Sequence, residues 1–407
     1  MVDSYKQYMS ETVKIFGGTK LDSSQFAENT FNYEKRIAEI TPGKSEYTNP
    51  SNVFKRRFSI RELKLIAPSI KWIEILQKYF SKARLSDNTR VLLAFEPYFR
   101  NISNIISTTD NRGINDYLIW RMINTYAPYL SKDFRIIHRN FYQTLYGMPL
   151  SNSLDDENRW KFCIKTSSKY MGYALSSLYF NNKIGEISNV TVNSKTEIIN
   201  SIRETILRNT NLFIWNNNED TNKLVNMKLK QMEILVGQPN FIVKGNLVEY
   251  YNEFIIQTKF LENILESIDH SHKKMEMLLS EKKPDYAWPL LPHDVRISYD
   301  YASNRLYVPF GLLNLPFYSP NEPKSMQFGA LGYHVAVNML KAFDLTGLHY
   351  GLPDGRLTAA NQTGQSYQFR SALNCLQDDL SQLPLKVYII INIFFFEFLI
   401  KIKFIIQ

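Results

Sequence analysis

The chain has 407 residues, 44% hydrophobic and 14% aromatic, enough to bury a large core across two or three domains. Its 48 basic and 39 acidic side chains leave a formal charge of +9, spread without a long basic run, which argues against nucleic-acid binding and for an ordinary solvated surface. Two cysteines, Cys163 and Cys375, exclude a disulfide framework and on their own point to a reducing compartment. The start, MVDSYKQYMSETVKIFGG, has neither a basic n-region nor an apolar h-region, so no signal peptide or anchor is expected there.

Residues 3–16 read as an amphipathic helix with Tyr8, Met9, Val13 and Phe16 inward and Gly17-Gly18 as its stop. A second helix is predicted from Ser23 to Ile40, ending before Thr41-Pro42. Ser59 and Glu62 have capping-box spacing ahead of Leu63, Leu65 and Ile66, and Val91–Ala94 is a candidate strand before an aromatic-rich helix. Ser194 and Glu197 offer a second capping box before the helical stripe Ile198, Ile202, Ile206. His270 and His272 stand two apart, so on a helix they face away from each other and make no metal pair. DYAWPLLP, residues 285–292, marks a boundary, and VRISY, residues 295–299, is extended. A strand ending at Pro309, an apolar turn over 312–318, a loop with Pro320 and Pro323, and a long apolar helix over 329–343 closed by Asp344 complete the legible part.

The segment YVPFGLLNLPFY, followed by Gly329, Gly332, Phe343 and Asp344, resembles the zinc-helix region of the neprilysin and endothelin-converting-enzyme metallopeptidases, V-x-P-A-G-I-L-x-x-P-F-F then G-G-I-G-x-x-I-G-H-E-x-x-H-G-F-D. Further phrases carry the same resemblance from about residue 5 to about residue 381. They are FNYEKRIAEI at 31–40, Ala67-Pro68 with Trp72, Asn115 to Trp120, Phe134-Arg135, Arg159-Trp160 with Cys163, Thr221 to Lys228, and Val236 to Pro239. The resemblance implies a mainly α (α+β) fold: a helical N-terminal portion over residues 1–284, an incomplete gluzincin-like (zincin) lobe with a small β element over 285–384, and an aberrant apolar tail over 385–407.

In that register the family's H-E-x-x-H falls on Val337, Asn338, Met339, Leu340 and Lys341. Two histidines four apart would give zinc two neutral imidazoles, and the glutamate between them would act as general base on the metal-bound water. Valine offers no lone pair, a lysine places a positive charge where the cation belongs, and an asparagine has no useful basicity. A shifted frame starting at His334 puts that ring roughly 60° off the face of position 337, with valine as base and an amide as second ligand. His334 is read as a core residue. Asp344 matches the acidic residue that follows the family's second histidine and is expected to support the site from outside the ligand set.

The family's substrate-clamping V-N-A-x-Y falls on the 295–299 stretch, with Arg296 and Ile297 where the asparagine and alanine would be, so the amide clamp is absent. The third zinc ligand would lie in a G-E-x-x-A-D helix beyond Leu380, and no such phrase follows. No catalytic residue, metal ligand or cofactor is therefore expected in this chain, although active family members hold zinc. Cys163 and Cys375 sit where relatives carry half-cystines whose usual partners are missing here, so their pairing stays open. The sequons at Asn101, Asn189 and Asn361 fit an ectodomain ancestry.

The tail LKVYIIINIFFFEFLIKIKFIIQ has an uncharged run over 387–396, too short to span a bilayer, and Glu397, Lys401 and Lys403 interrupt its continuation. Its richness in residues with A/T-only codons leads to the expectation that it is translated intron rather than a tail anchor, to be tested by sequencing the transcript across Pro384. The first functional expectation is a neprilysin-like pseudopeptidase, truncated at both ends, extracellular or at the plasma membrane, that binds peptides or a partner and no nucleic acid. The alternatives are an active zinc metalloendopeptidase of proteolysis or peptide-hormone turnover, and a truncated product without function.

Overall fold

The computed structural model describes residues 1–43, 57–147, 159–183, 189–210, 219–279, 287–344 and 347–350, with isolated residues beyond. The apolar tail and the sequon at Asn361 lie outside the described residues. The chain divides into two compact units, Met1–Tyr170 with Asn252–Lys282, and Met171–Tyr251 with Lys283–Gln407. Both are mainly helical, each with one small sheet.

The first unit opens with α1 (Val2–Ile15) and α2 (Lys20–Ile40). The turn between them ends α1 through Gly17 at φ +90, a left-handed conformation that glycine adopts without steric cost. The first turn of α2 is capped by the Thr19 hydroxyl, which accepts from the Asp22 N–H at 3.1 Å. Threonine at that place starts the helix three residues earlier than the Ser23 start predicted. Tyr8, Met9 and Thr12 form the buried face of α1, whereas Phe16, predicted inward, is 61% exposed because it lies past the last helical turn.

β1 (Arg57–Ser59) pairs antiparallel with β2 (Arg90–Leu92), and α3 (Ile60–Ile66) starts directly from β1. The predicted capping box is formed. Ser59 N–H donates to Glu62 Oε2 at 2.6 Å and Glu62 N–H donates back to Ser59 Oγ at 3.2 Å. Leu63 and Ile66 enter the small core with Phe58 and Leu93, while Leu65 points to solvent.

Further helices of this unit are α4 (Trp72–Tyr79), α5 (Glu96–Ser107), α6 (Asn111–Tyr126), α7 (Lys132–Leu145) and a helix over Phe260–Met277. Trp120 of α6 is fully buried against Tyr8, Met9 and Ala27, and its indole N–H donates to the Tyr5 hydroxyl at 2.9 Å. α8 (Arg159–Lys183) carries a non-helical residue, Met171, at the point where the first unit ends and the second begins.

In the second unit, α9 (Asn189–Arg208) and α10 (Glu219–Gln231) pack on a three-stranded sheet ordered β3 (Glu233–Gly237), β5 (Arg305–Pro309), β4 (Ser298–Asp300). β3 runs parallel to β5, and β4 pairs antiparallel with it in the register Ser298↔Tyr307. The central strand reads Leu306, Tyr307, Val308, all buried, as a strand covered on both faces should. Ile198, Ile202 and Ile206 fall on the buried stripe of α9 as predicted. Ser194 does not cap that helix: α9 begins at Asn189, five residues earlier, so the box-like spacing lies inside it.

Residues 324–343 form one helical run, with a π-helical stretch at Phe328–Gly332, then α11 (Tyr333–Leu340), then a 3-10 turn at Lys341–Phe343. Leu331, Val335, Met339, Leu340 and Phe343 sink into the same core as α9, α10 and the sheet. Gly311, between β5 and the apolar turn, has no room for a side chain, because an added Cβ would sit 2.5 Å from the carbonyl oxygens of both His293 and Asp294.

Candidate functional site

α11, which carries Val337 and Asn338 of the family-motif positions, packs on β4 and β5. Val337 is half-buried and presents only methyl groups. Asn338 is buried, and both ends of its amide are used: Nδ2 donates to the His334 carbonyl oxygen at 2.9 Å, and Oδ1 accepts from Lys341 Nζ at 2.8 Å. The ammonium of Lys341 thus closes a short chain of hydrogen bonds along the helix. His334 stands edge-on to the rings of Phe317 at 5.4 Å and Tyr333 at 5.3 Å, and burial lowers its basicity. It was expected as a core residue and is instead half-buried against those two rings, with the amide of Asn338 directed at its backbone.

The residues at these three positions do not fit zinc. A divalent ion needs lone pairs from imidazole, thiolate or carboxylate, and here it would meet a methyl group, an engaged amide and a positive charge. Among the described residues no group of three or more His, Cys, Asp or Glu side chains stands close enough to hold a metal ion.

Asp344 follows the 3-10 turn and is buried. Its Oδ1 accepts the Gly347 N–H at 2.6 Å, its Oδ2 accepts the Tyr301 hydroxyl at 3.2 Å, and its backbone oxygen accepts the Leu348 N–H at 2.9 Å. Gly347 is required by crowding, since a Cβ there would meet the backbone of Lys341 and Ala342. The carboxylate ties Gly347 and Tyr301 to the end of the helical run.

Lys228, on α10, was not singled out for chemistry in the sequence, yet it is the central charged group of this region. Its side chain is 1% exposed, and its ammonium donates to three carbonyl oxygens, Gly347 at 2.6 Å, Tyr350 at 2.9 Å and Ala342 at 3.0 Å. The Ala342 carbonyl lies in the last turn of the helical run, where the helix dipole favours a cation, and those of Gly347 and Tyr350 lie beyond it. Burial pushes the lysine down to about 8, against the pull of the Asp344 carboxylate. Asn304, in the left-handed region at φ 52, fixes the lysine from behind: its Nδ2 donates to the Lys228 carbonyl at 2.9 Å and its Oδ1 accepts the Tyr299 hydroxyl at 2.8 Å. The signal available in sequence was periodicity, for Lys228 shares the buried stripe of Val225, Leu229 and Met232.

Burial separates the two predicted peptide-contact residues. Ile297 is buried in the core, and Arg296 is exposed with its guanidinium 3.8 Å from the Asp294 carboxylate. The strand is shifted from the predicted 295–299 to Ser298–Asp300, because Arg296 and Ile297 precede the first rung on β5. Among the described residues β4 has no neighbouring strand on its outer side in this sheet.

Ser176 and His293, which the sequence did not connect, meet at 2.7 Å between Oγ and Nδ1. The same hydroxyl lies 2.8 Å from the Gly172 carbonyl oxygen, so the carbonyl and the imidazole both stand within reach of its single proton. Cys163 and Cys375 are both free and exposed. Asn101 is exposed on α5, and the side chain of Asn189 lies outside the described residues. His270 is buried edge-on to Phe254 and His272 lies against Tyr79, each in its own aromatic contact.

A helical array, a three-stranded sheet and a buried helix packed on β4 and β5 together make the scaffold of a zincin-type metallopeptidase. Two models described as peptidase family M13 match the chain, one over residues 1–239 and one over residues 298–389, and the chain belongs to that family. It is 24% identical over 384 residues to endothelin-converting enzyme 1 of Cavia porcellus, covering 94% of this chain and 50% of the relative. Neprilysin-3 of Drosophila melanogaster is 24% identical over 359 residues, covering 86% of this chain and 44% of that protein. The chain thus spans about half the length of the curated relatives it matches. Among solved structures, the zinc metalloprotease Zmp1 of Mycobacterium tuberculosis bound to inhibitor superposes with a TM-score of 0.79 at 16% identity, covering 99% of this chain and 59% of that one. PepO of Lactobacillus rhamnosis gives 0.76 at 17%, covering 92% and 57%. These likenesses establish the fold.

Proposed function

We propose that this chain is a non-catalytic member of family M13, a pseudopeptidase that keeps the scaffold and binds peptides or a partner without hydrolysing them. The observation that carries this reading is the hydrogen-bond chain Lys341 to Asn338 to His334 on the face where the family motif would stand. At the three motif positions Val337, Asn338 and Lys341 there is no imidazole, thiolate or carboxylate to offer a cation. No cofactor is proposed, and Val337, Asn338 and Lys341 are inert replacements. Peptide binding would use the outer edge of β4 by strand addition, with exposed Arg296 beside it and Ile297 holding the strand to the core. Asp344 and Lys228 support the helix end from behind. An extracellular or surface location accompanies this reading, and among the described residues no helix is long and apolar enough to cross a membrane.

The test is metal content and hydrolysis measured on one preparation. Purified protein should carry no stoichiometric zinc and show no chelator-sensitive cleavage of an oligopeptide with a large apolar residue after the scissile bond. One equivalent of tightly held zinc together with chelator-sensitive cleavage overturns the proposal in favour of an active metalloendopeptidase.

A further inference from the structure

α5, in the first unit, carries the sequon Asn101-Ile102-Ser103 in its middle. Asn101 stands at helical spacing with Pro97, Asn104 and Thr108, and all four are exposed, so the asparagine belongs to the solvent face of the helix. Its carboxamide has no hydrogen-bond partner among the described residues. Ser103 is placed the opposite way. It lies about 200° further round the helix, is 4% exposed, and its Oγ accepts the Ser69 N–H at 3.0 Å, which ties the turn ahead of α4 to α5.

N-glycosylation uses both residues of a sequon at once, the carboxamide as acceptor and the hydroxyl two places on for recognition. In an α-helix residues i and i+2 point away from each other, so the folded chain offers the acceptor nitrogen without its hydroxyl. Before α5 forms, the extended chain offers both. Once α5 has formed, the asparagine is on the outside, where a bulky sugar stands in solvent and leaves the Ser103 contact undisturbed. We propose that Asn101 is an N-glycosylation site filled on the nascent chain, before α5 closes. In that step Asn101 Nδ2 bonds to the anomeric carbon of a lipid-pyrophosphate-linked oligosaccharide. The bond from that carbon to the pyrophosphate oxygen breaks, and the amide gives up one proton as the lipid pyrophosphate leaves. In the cell the step rests on the extracellular or surface location proposed above, and it is indifferent to whether the chain hydrolyses anything.

The test expresses the full chain in insect cells behind a cleavable secretory leader and maps the Asn101 peptide by mass spectrometry after enzymatic release of N-glycans in heavy-oxygen water. Asn101 should carry the label of a former glycan, and Asn101→Gln should migrate faster on a gel by one glycan. Ser103→Ala should abolish occupancy at Asn101 and Ser103→Thr should keep it; both are read on the nascent chain, so neither variant has to fold. A chain whose leader has been removed but whose Asn101 is bare overturns the site, as does occupancy undiminished in Ser103→Ala. In pulse-chase labelling the glycan should already be present on the first full-length chains, and a glycan added to Asn101 only during the chase overturns the timing. The leader delivers the chain to the secretory route whatever its own address, so a bare Asn101 counts against the site alone. Surface biotinylation of cells that make the natural protein tests the location separately.

Discussion

Replacing Lys228 by methionine removes a cation from the centre of the second unit while keeping its apolar stem. The three carbonyls of Ala342, Gly347 and Tyr350 then lose their shared donor in a dry site, and the Asp344 carboxylate loses its nearby positive charge. Buried groups left unsatisfied cost about 1–3 kcal/mol each. Set against that, burial holds the lysine down at about 8 instead of 10.5, a net cost to its charged form of about 3 kcal/mol that methionine does not suffer. Three such carbonyls come to about 3–9 kcal/mol, so the net loss for Lys228→Met at pH 7 centres on about 3 kcal/mol, read from urea unfolding followed by circular dichroism. The sign with pH is opposite to that of a lysine in a salt bridge. Between about 8 and 10.5 the unfolded chain holds the proton that the folded chain has released, so the lysine's contribution to stability rises with pH through that window. Wild type should thus gain about 2 kcal/mol over Lys228→Met on going from pH 7 to pH 9.5, below the range where unfolded tyrosines ionise. A difference between the two proteins that stays flat over this range, or a methionine variant as stable as wild type at pH 7, would refute the reading of Lys228 as a buried cation.

Ser59→Ala should cost about 1 kcal/mol by removing the α3 cap, seen as a lower urea midpoint with unchanged slope. Leu306→Ala, in the central strand, should cost about 2–5 kcal/mol in the same assay, because the side chain is fully enclosed. Gly311→Ala should cost about 1–3 kcal/mol or more, since its Cβ falls 2.5 Å from two carbonyl oxygens that cannot rotate away. Burial holds His293 below the ordinary histidine range, so the unfolded chain takes up a proton first as the pH falls. Stability should drop by up to about 2 kcal/mol between pH 7.5 and 5, and part of that loss should be absent in His293→Gln.

Local signals carried far in the sequence. The Ser59–Glu62 box, the Ile198–Ile202–Ile206 stripe and the strand ending at Pro309 each depend on residues a few places apart, and each is formed. Ser194 shows how the same logic fails, because a box-like spacing inside a helix is indistinguishable from a cap unless the residues before it break the helix, and here α9 begins at Asn189. Phe16 was drawn inward by periodicity, but the helix stops one residue short of it. The lysine at 228 was hidden for a different reason. Its partners at 342, 347 and 350 lie 114 to 122 residues away, so only the tertiary fold could convert a charged residue on an apolar stripe from an apparent flaw into an anchor.

The two faces of the helical run over 324–343 explain how a family fold can persist where the family chemistry would have to be rebuilt. Leu331, Val335, Met339, Leu340 and Phe343 serve the core, and these apolar contacts hold the run against α9, α10 and the sheet. Val337, Asn338 and Lys341 stand where the resemblance places the metal-binding triad, and none of them belongs to that core cluster. Exchanging two imidazoles and a carboxylate for a methyl face, an amide and an ammonium leaves the packing face untouched. It also replaces a triad that needs a cation with groups satisfied by their own helix, Lys341 on Asn338 and Asn338 on His334. Meanwhile the devices that hold the end of the helix, Lys228 on three carbonyls and Asp344 on Gly347 and Tyr301, depend on no metal at all. The side chains that hold this helical run in the core and those at the motif positions are therefore different residues of one element, so the packing does not depend on what occupies the motif positions.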